Sequence, residues 1–150
     1  MSAQKFTIPG AFLTRNDGEK LARAHWAKAA KAKKEETERA AAAIKGARLT
    51  PVSRPCEVTM IFHEQLRYYK NGRLRKLHDV DNWFYGTKPI LDALVNEGIL
   101  EDDDPFHVRR VIPVVHYTER EPYVTVAIMD YVPRRRITFA PVDIPDRRPR

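Results

Sequence analysis

The residues best suited to chemistry lie in one stretch, KLHDVDNWFYGTKPILDALVNEGILEDDDPF (residues 76–106), which carries Asp79 and Asp81 near its start and Glu101 to Asp104 near its end, with Lys88 between. Helix capping accounts for one aspartate ahead of a helix, because exposed N–H groups favour negative charge. Spacing of two residues in an extended segment, however, points both carboxylates to one side, which capping does not require. At the far end the helix dipole disfavours anions and each acid repels its neighbours, so a solvated acidic loop is only one of the readings open there.

Thr87 as a cap, Pro89 in a first turn and Gly98 as a stop predict a helix from about Lys88 to Glu97, with Ile90, Leu91, Leu94 and Val95 on its buried face. A start near Asn82 would leave Pro89 to kink it. Ten helical residues are about 15 Å long. The return chain from Glu97 to Asp103 spans about 20 Å when extended, so Asp103 can come back beside Asp79 and Asp81. Three converging carboxylates must take up protons or hold a cation. Oxygen-only donors suit Mg²⁺ or Mn²⁺ better than zinc. A calcium-binding EF-hand loop counted from Asp79 would need glycine where Phe84 stands and glutamate where Ile90 stands, which excludes it.

Just upstream, RYYKNGRLRKLH offers Arg67, Lys70, Arg73, Arg75 and Lys76 with Tyr68 and Tyr69 and no acid. Asn71-Gly72 favours the tight turn of a hairpin, so a basic ribbon or loop is expected. A cationic arm beside a divalent-metal site suits phosphodiester hydrolysis: the arm attracts the polyanion and the metal activates water. Lys88 could stabilise the charge that develops on the reacting phosphate or on the departing oxygen. Taken without the acids, it is an ordinary surface lysine at a helix start.

These residues must be positioned by one domain, since 150 residues suffice for one core and hardly for two. We expect residues 1–132 to form it. QKFTI (4–8) reads as a short strand, residues 17–47 as one long helix capped by Asp17 with Leu21, Trp26 and Ile44 as its large apolar residues, and CEVTMIFH (56–63) as a half-buried strand. VRRVIPVVHY and YVTVAIMDY read as an antiparallel pair joined through TEREP, with Pro113 placing the first at an edge or a bulge. From Lys20 to Lys34 the helix carries six basic residues and no acid, a solvated face or a DNA-contacting one. Residues 133–150, with six arginines and four prolines, read as a mobile basic tail. The net charge of +7 suits a polyanionic partner. Cys56, the single cysteine, excludes an internal disulfide and fits a reducing cytosol, as a buried small hydrophobe rather than a nucleophile. No run is apolar enough for a bilayer span or a signal core, so a soluble intracellular protein is expected.

DVDN (79–82), Lys88, LDAL (91–94), Gly98 and EDDD (101–104), in this order, resemble the RusA family of Holliday-junction resolvases, common in bacteriophages and prophages. The likeness extends over residues 4–131. It departs at WFYGT (83–87), which is longer than the corresponding segment of the best-known members. The resemblance implies a homodimeric, Mg²⁺-dependent endonuclease, with Mn²⁺ able to substitute, that nicks a four-way DNA junction symmetrically in a bacterial or phage-infected cytoplasm. It implies a small α+β fold with a mixed sheet. Asp79, Asp81 and Asp103 match the acidic active-site positions, Lys88 the essential lysine, and Asp102 a neighbouring acid of less certain role. A non-catalytic DNA-binding protein of the same fold, and a basic scaffold protein with an acidic loop, are the other readings.

Overall fold

The computed structural model describes residues 3–133. The predicted basic tail therefore lies, apart from Pro133, outside the described residues. The chain is α+β: β1 (Gln4–Pro9), α1 (Arg15–Ala24), α2 (Trp26–Ala47), β2 (Cys56–Gln65), a 3₁₀ segment (Val80–Gly86), α3 (Thr87–Asn96), β3 (Val108–Thr118) and β4 (Tyr123–Asp130). The four strands form one mixed sheet in the order β1-β4-β2-β3. β4 runs antiparallel to both β1 and β2, and β2 runs parallel to β3.

This order corrects the expected β3–β4 hairpin: β2 lies between the two strands. The reason is that β2 and β3 are parallel and need a long crossover, which the 3₁₀ segment and α3 supply. Pro113 does lie on an edge strand, opposite Met60.

Strand alternation builds the core. Cys56, Val58, Met60 and Phe62 of β2, Val124, Val126 and Ile128 of β4, and Phe6 and Ile8 of β1 are buried on one face beneath the helices. Ile90, Leu91, Ala93 and Leu94 of α3 complete it from above, and α3 packs on α2. Val95, expected on the same face, is half-buried. Burial pushes the Cys56 thiol up to about 11, so it stays an inert thiol at neutral pH.

The long helix expected over 17–47 is two helices. The chain breaks at His25 (φ −152°, ψ 86°), which ends α1 and precedes α2. Thr14 rather than Asp17 caps α1: its hydroxyl accepts from the Asp17 N–H at 3.3 Å and donates to the Asp17 carboxylate at 3.0 Å. Trp26, one of the three large apolar residues of the expected helix, is 78% exposed. Alanine richness made both helices legible but carries no signal for a break between them.

Glu36 and Arg39 of α2 secure the loop that leads from β1 to α1. The Leu13 N–H donates to Glu36 Oε1 at 2.6 Å, and the Arg39 guanidinium donates to the Ala11 carbonyl at 2.7 Å and lies 4.7 Å from the Phe12 ring centre. Glu36 is 5% exposed, and burial raises its pKa. Because the folded state then holds the proton more tightly than the unfolded one, this group lowers stability as pH rises from the ordinary glutamate range through the raised value. Glu36→Gln keeps an acceptor for Leu13 without the buried charge. Its stability relative to the parent should therefore improve between pH 4 and pH 8 in urea unfolding, whereas Glu36→Ala, which orphans the Leu13 N–H, should cost about 2 kcal/mol.

Candidate functional site

The helix that carries Lys88 begins one residue earlier than expected. Thr87 is its first residue rather than its cap, and the Thr87 hydroxyl donates to the Phe84 carbonyl at 2.7 Å. Gly86 occupies the cap position because a side chain there would meet Phe12 and Phe62 at 3.0 Å. Pro89 lies in the first turn, where its missing N–H has no partner to lose. Gly98 ends the turn with φ +70°, a left-handed conformation that glycine adopts without strain.

The return chain then brings Asp103 back to the helix start. Lys88 Nζ donates to Asp103 Oδ2 at 2.6 Å and contacts Asp92 Oδ1 at 2.8 Å. Bonding to Asp103 first, and then to Asp92, raises the Lys88 pKa; the Lys88 bond holds Asp103 below the ordinary carboxylate range. Lys88 is therefore a fixed, charged ammonium.

The other acids of the loop have local work. Asp102 Oδ1 accepts the Asp103 N–H at 2.7 Å, and Asp104 Oδ1 accepts the N–H groups of Phe106 at 2.8 Å and His107 at 3.1 Å. His107 Nδ1 lies 2.8 Å from Asp104, a contact that raises the histidine pKa and lowers the aspartate. That leaves Asp103 as the loop carboxylate committed to Lys88.

Asp79 and Asp81 sit at the opposite end of the 3₁₀ segment, exposed, with Asp79 at its cap and Asp81 in its first turn. Seven 3₁₀ residues rise roughly 14 Å when straight. Asp81 lies inside this segment, so five of its residues, Asn82 to Gly86, stand between Asp81 and the helix that carries Lys88. Among the described residues no three His, Cys, Asp or Glu side chains converge closely enough to hold a metal ion. The oxygen donors are of the type Mg²⁺ prefers, but they are not gathered into a centre, and Asp103 as a ligand would have to share its bond to Lys88.

The basic arm folds back on itself as a ribbon. Tyr68 and Leu74 form an antiparallel bridge, the Arg75 N–H donates to the Arg67 carbonyl at 2.7 Å, and the Tyr69 N–H donates to the Arg73 carbonyl at 2.8 Å. Its turn is a three-residue loop, Lys70 to Gly72, in which only Gly72 has positive φ (+82°), rather than the two-residue turn expected at Asn71-Gly72. Arg67, Lys70, Arg73, Arg75 and Lys76 are all exposed. The Arg75 guanidinium lies 5.2 Å from the Tyr69 ring centre.

Between the ribbon and the β1–α1 loop lies a cavity of about 290 Å³, lined in part by Thr14, Glu64, Arg67, Arg75, His78 and Trp83. Sequence reasoning missed its central contact. Glu64, near the end of β2, bonds the His78 ring at 2.5 Å and accepts the His78 N–H at 3.3 Å, so it fixes the residue immediately before Asp79. Nothing in a fourteen-residue separation could signal this pair. Asp92, by contrast, is at i+4 from Lys88 and its contact was legible from helical spacing.

Lys88→Met tests how much the ion pair contributes to the fold. With the two side chains 56% and 27% exposed, solvent screens the pair, and the loss of stability in urea should stay under about 1 kcal/mol. The contribution of a carboxylate with a depressed pKa is present above the ordinary aspartate range and lost as pH falls through the depressed value. The difference between parent and variant should therefore close on acidification.

No protein-family model matches the chain, and no curated protein matches it by sequence.

Proposed function

We propose that the protein is a structure-selective DNA endonuclease that resolves four-way junctions by hydrolysing phosphodiester bonds at symmetric positions. The observation that carries the reading is the Lys88–Asp103 bond, which joins two of the four motif residues across fifteen positions and fixes a cation beside an acidic loop. In this reading the ribbon of Arg67, Lys70, Arg73, Arg75 and Lys76 tracks phosphates and supplies a salt-dependent share of affinity. Lys88, held charged by Asp103 and Asp92, stabilises negative charge on the phosphoryl or leaving oxygen as water adds to phosphorus and the P–O bond breaks. In this reading Asp79, Asp81 and Asp103 would hold Mg²⁺ or Mn²⁺, which would activate water, although among the described residues no three such side chains converge. Symmetric cutting of a two-fold junction makes a homodimer physically sensible.

The test is a synthetic four-way junction against a linear duplex of the same sequence, each with Mg²⁺, with Mn²⁺ and with chelator. Paired nicks on the junction, dependent on the divalent ion, are the expected result. Junction binding without product in any condition would replace this reading by a second, a non-catalytic DNA-binding protein. That no three His, Cys, Asp or Glu side chains converge among the described residues favours that alternative. No helix among the described residues is long and apolar enough to cross a membrane, and neither reading requires one.

A further inference from the structure

Trp26 carries a second signal that the acidic loop and the ribbon do not absorb. Tryptophan gains more from burial than almost any side chain, yet this one is 78% exposed at the first position of α2. Its placement follows from the break at His25, which turns the chain between α1 and α2 and leaves the indole on the corner. The buried stripe of α2 begins only at Ala29 and continues through Glu36, Ala40 and Ile44, so Trp26 overhangs the core. Among the described residues the indole has no aromatic or cation–π partner.

The surroundings state what it would meet. Lys20, Arg23, Lys28, Lys31, Lys33 and Lys34 flank it in sequence, all exposed, with no acid between Lys20 and Lys34. Glu19, the acid just before this run, is engaged by Arg15 at 3.0 Å. Lys33 lies seven residues after Trp26 on the same helical stripe, about 10.5 Å along the axis. Its ammonium sits 5.1 Å from the ring centre of Tyr85, in the 3₁₀ segment that begins beside Asp79 and Asp81. The corner thus stands within a few nucleotide lengths of the proposed site, on the surface that α2 extends from it.

We propose that the α1–α2 corner is a nucleic-acid contact in which Trp26 stacks on an unpaired base while the surrounding cations hold the adjoining phosphates. Single strands offer such bases, and a four-way junction offers them where pairs at its crossover open; intact duplex does not. A membrane surface would also attract the cations, but this stretch offers only Leu21, half-buried, and Trp26 as large apolar residues, and no apolar face to insert. Stacking on a base needs only one ring and is tolerant of sequence. The inference rests on the DNA-binding half of the proposed function and is independent of cleavage.

Trp26 and Trp83 are the only tryptophans, so the difference in intrinsic fluorescence between the parent and Trp26→Ala reports the corner. The full chain is titrated at fixed salt, without divalent ion, with a four-way junction, an oligothymidine strand and a blunt duplex. A parallel titration uses anionic phospholipid vesicles, and sedimentation velocity follows the parent and Trp26→Ala. Junction and single strand should quench the indole, and Trp26→Ala should weaken both by about tenfold while changing duplex affinity by less than about threefold. Trp26→Phe, which keeps a ring, should recover most of the loss. Unchanged affinities in Trp26→Ala would overturn the proposal. So would equal losses for duplex and junction, a blue shift of the indole emission with vesicles and no change with DNA, or a fall in sedimentation coefficient with DNA affinity intact, which would give the surface to a second copy. A protein that is quenched by junction DNA but cuts nothing would sink the nuclease reading and leave this contact standing.

Discussion

Asp81→Asn should reduce nicking of a four-way junction by at least about a thousandfold, roughly 4 kcal/mol of transition-state stabilisation, while junction binding persists or strengthens. The substitution keeps the size and shape of an exposed side chain in the first turn of the 3₁₀ segment, so the fold has little reason to respond. What changes is charge. One fewer anion faces incoming phosphate, which lowers repulsion and favours association, whereas any role of the carboxylate in the reaction is lost. Gel-shift and cleavage assays on the same preparation separate the two effects. Nicking at the parental rate in Asp81→Asn would remove the residue from the proposed chemistry, and with it the reason to group DVDN with Lys88 and Asp103.

Phe62→Ala is expected to cost about 4 kcal/mol of folding stability, the largest single effect in the core. Phe62 is 1% exposed on β2. Its ring stacks on Trp83 at 5.2 Å between centroids and meets Phe12 edge-on at 6.4 Å, so one side chain ties the sheet to the 3₁₀ segment and to the β1–α1 loop. Truncation leaves a void that close-packed neighbours fill only in part. Against a typical margin of about 5–15 kcal/mol, that is a large share. Urea unfolding should show a lower midpoint with an unchanged slope. A cost below about 1.5 kcal/mol would mean that Trp83 collapses into the space. Phe62→Leu, which keeps most of the volume, should lose less.

Elements whose cause is local were legible in the chain. The α3 helix follows from Pro89 and Gly98, the buried face of β2 from strict alternation, and the basic ribbon from a glycine turn inside a run of cations. Elements whose cause is remote were not. The helix expected as one piece is broken at His25, and the β3–β4 pair is split by β2, because strand neighbours are chosen by which faces bury together rather than by which segments are consecutive.

At the candidate site the same division holds. The order and types of Asp79, Asp81, Lys88 and Asp103 are properties of the chain, and so is the possibility that six residues of return chain reach the start of α3. Which charge Asp103 meets there was decided by the fold. Among the described residues the acids do not gather in threes, and Lys88 is the cation within bonding distance of Asp103. Likewise only the folding of β2 against the arm could place Glu64 on His78, and only the corner between two helices could leave Trp26 in water. Spacing along a chain limits how far apart two groups can be, whereas their partners depend on which surfaces become buried around them.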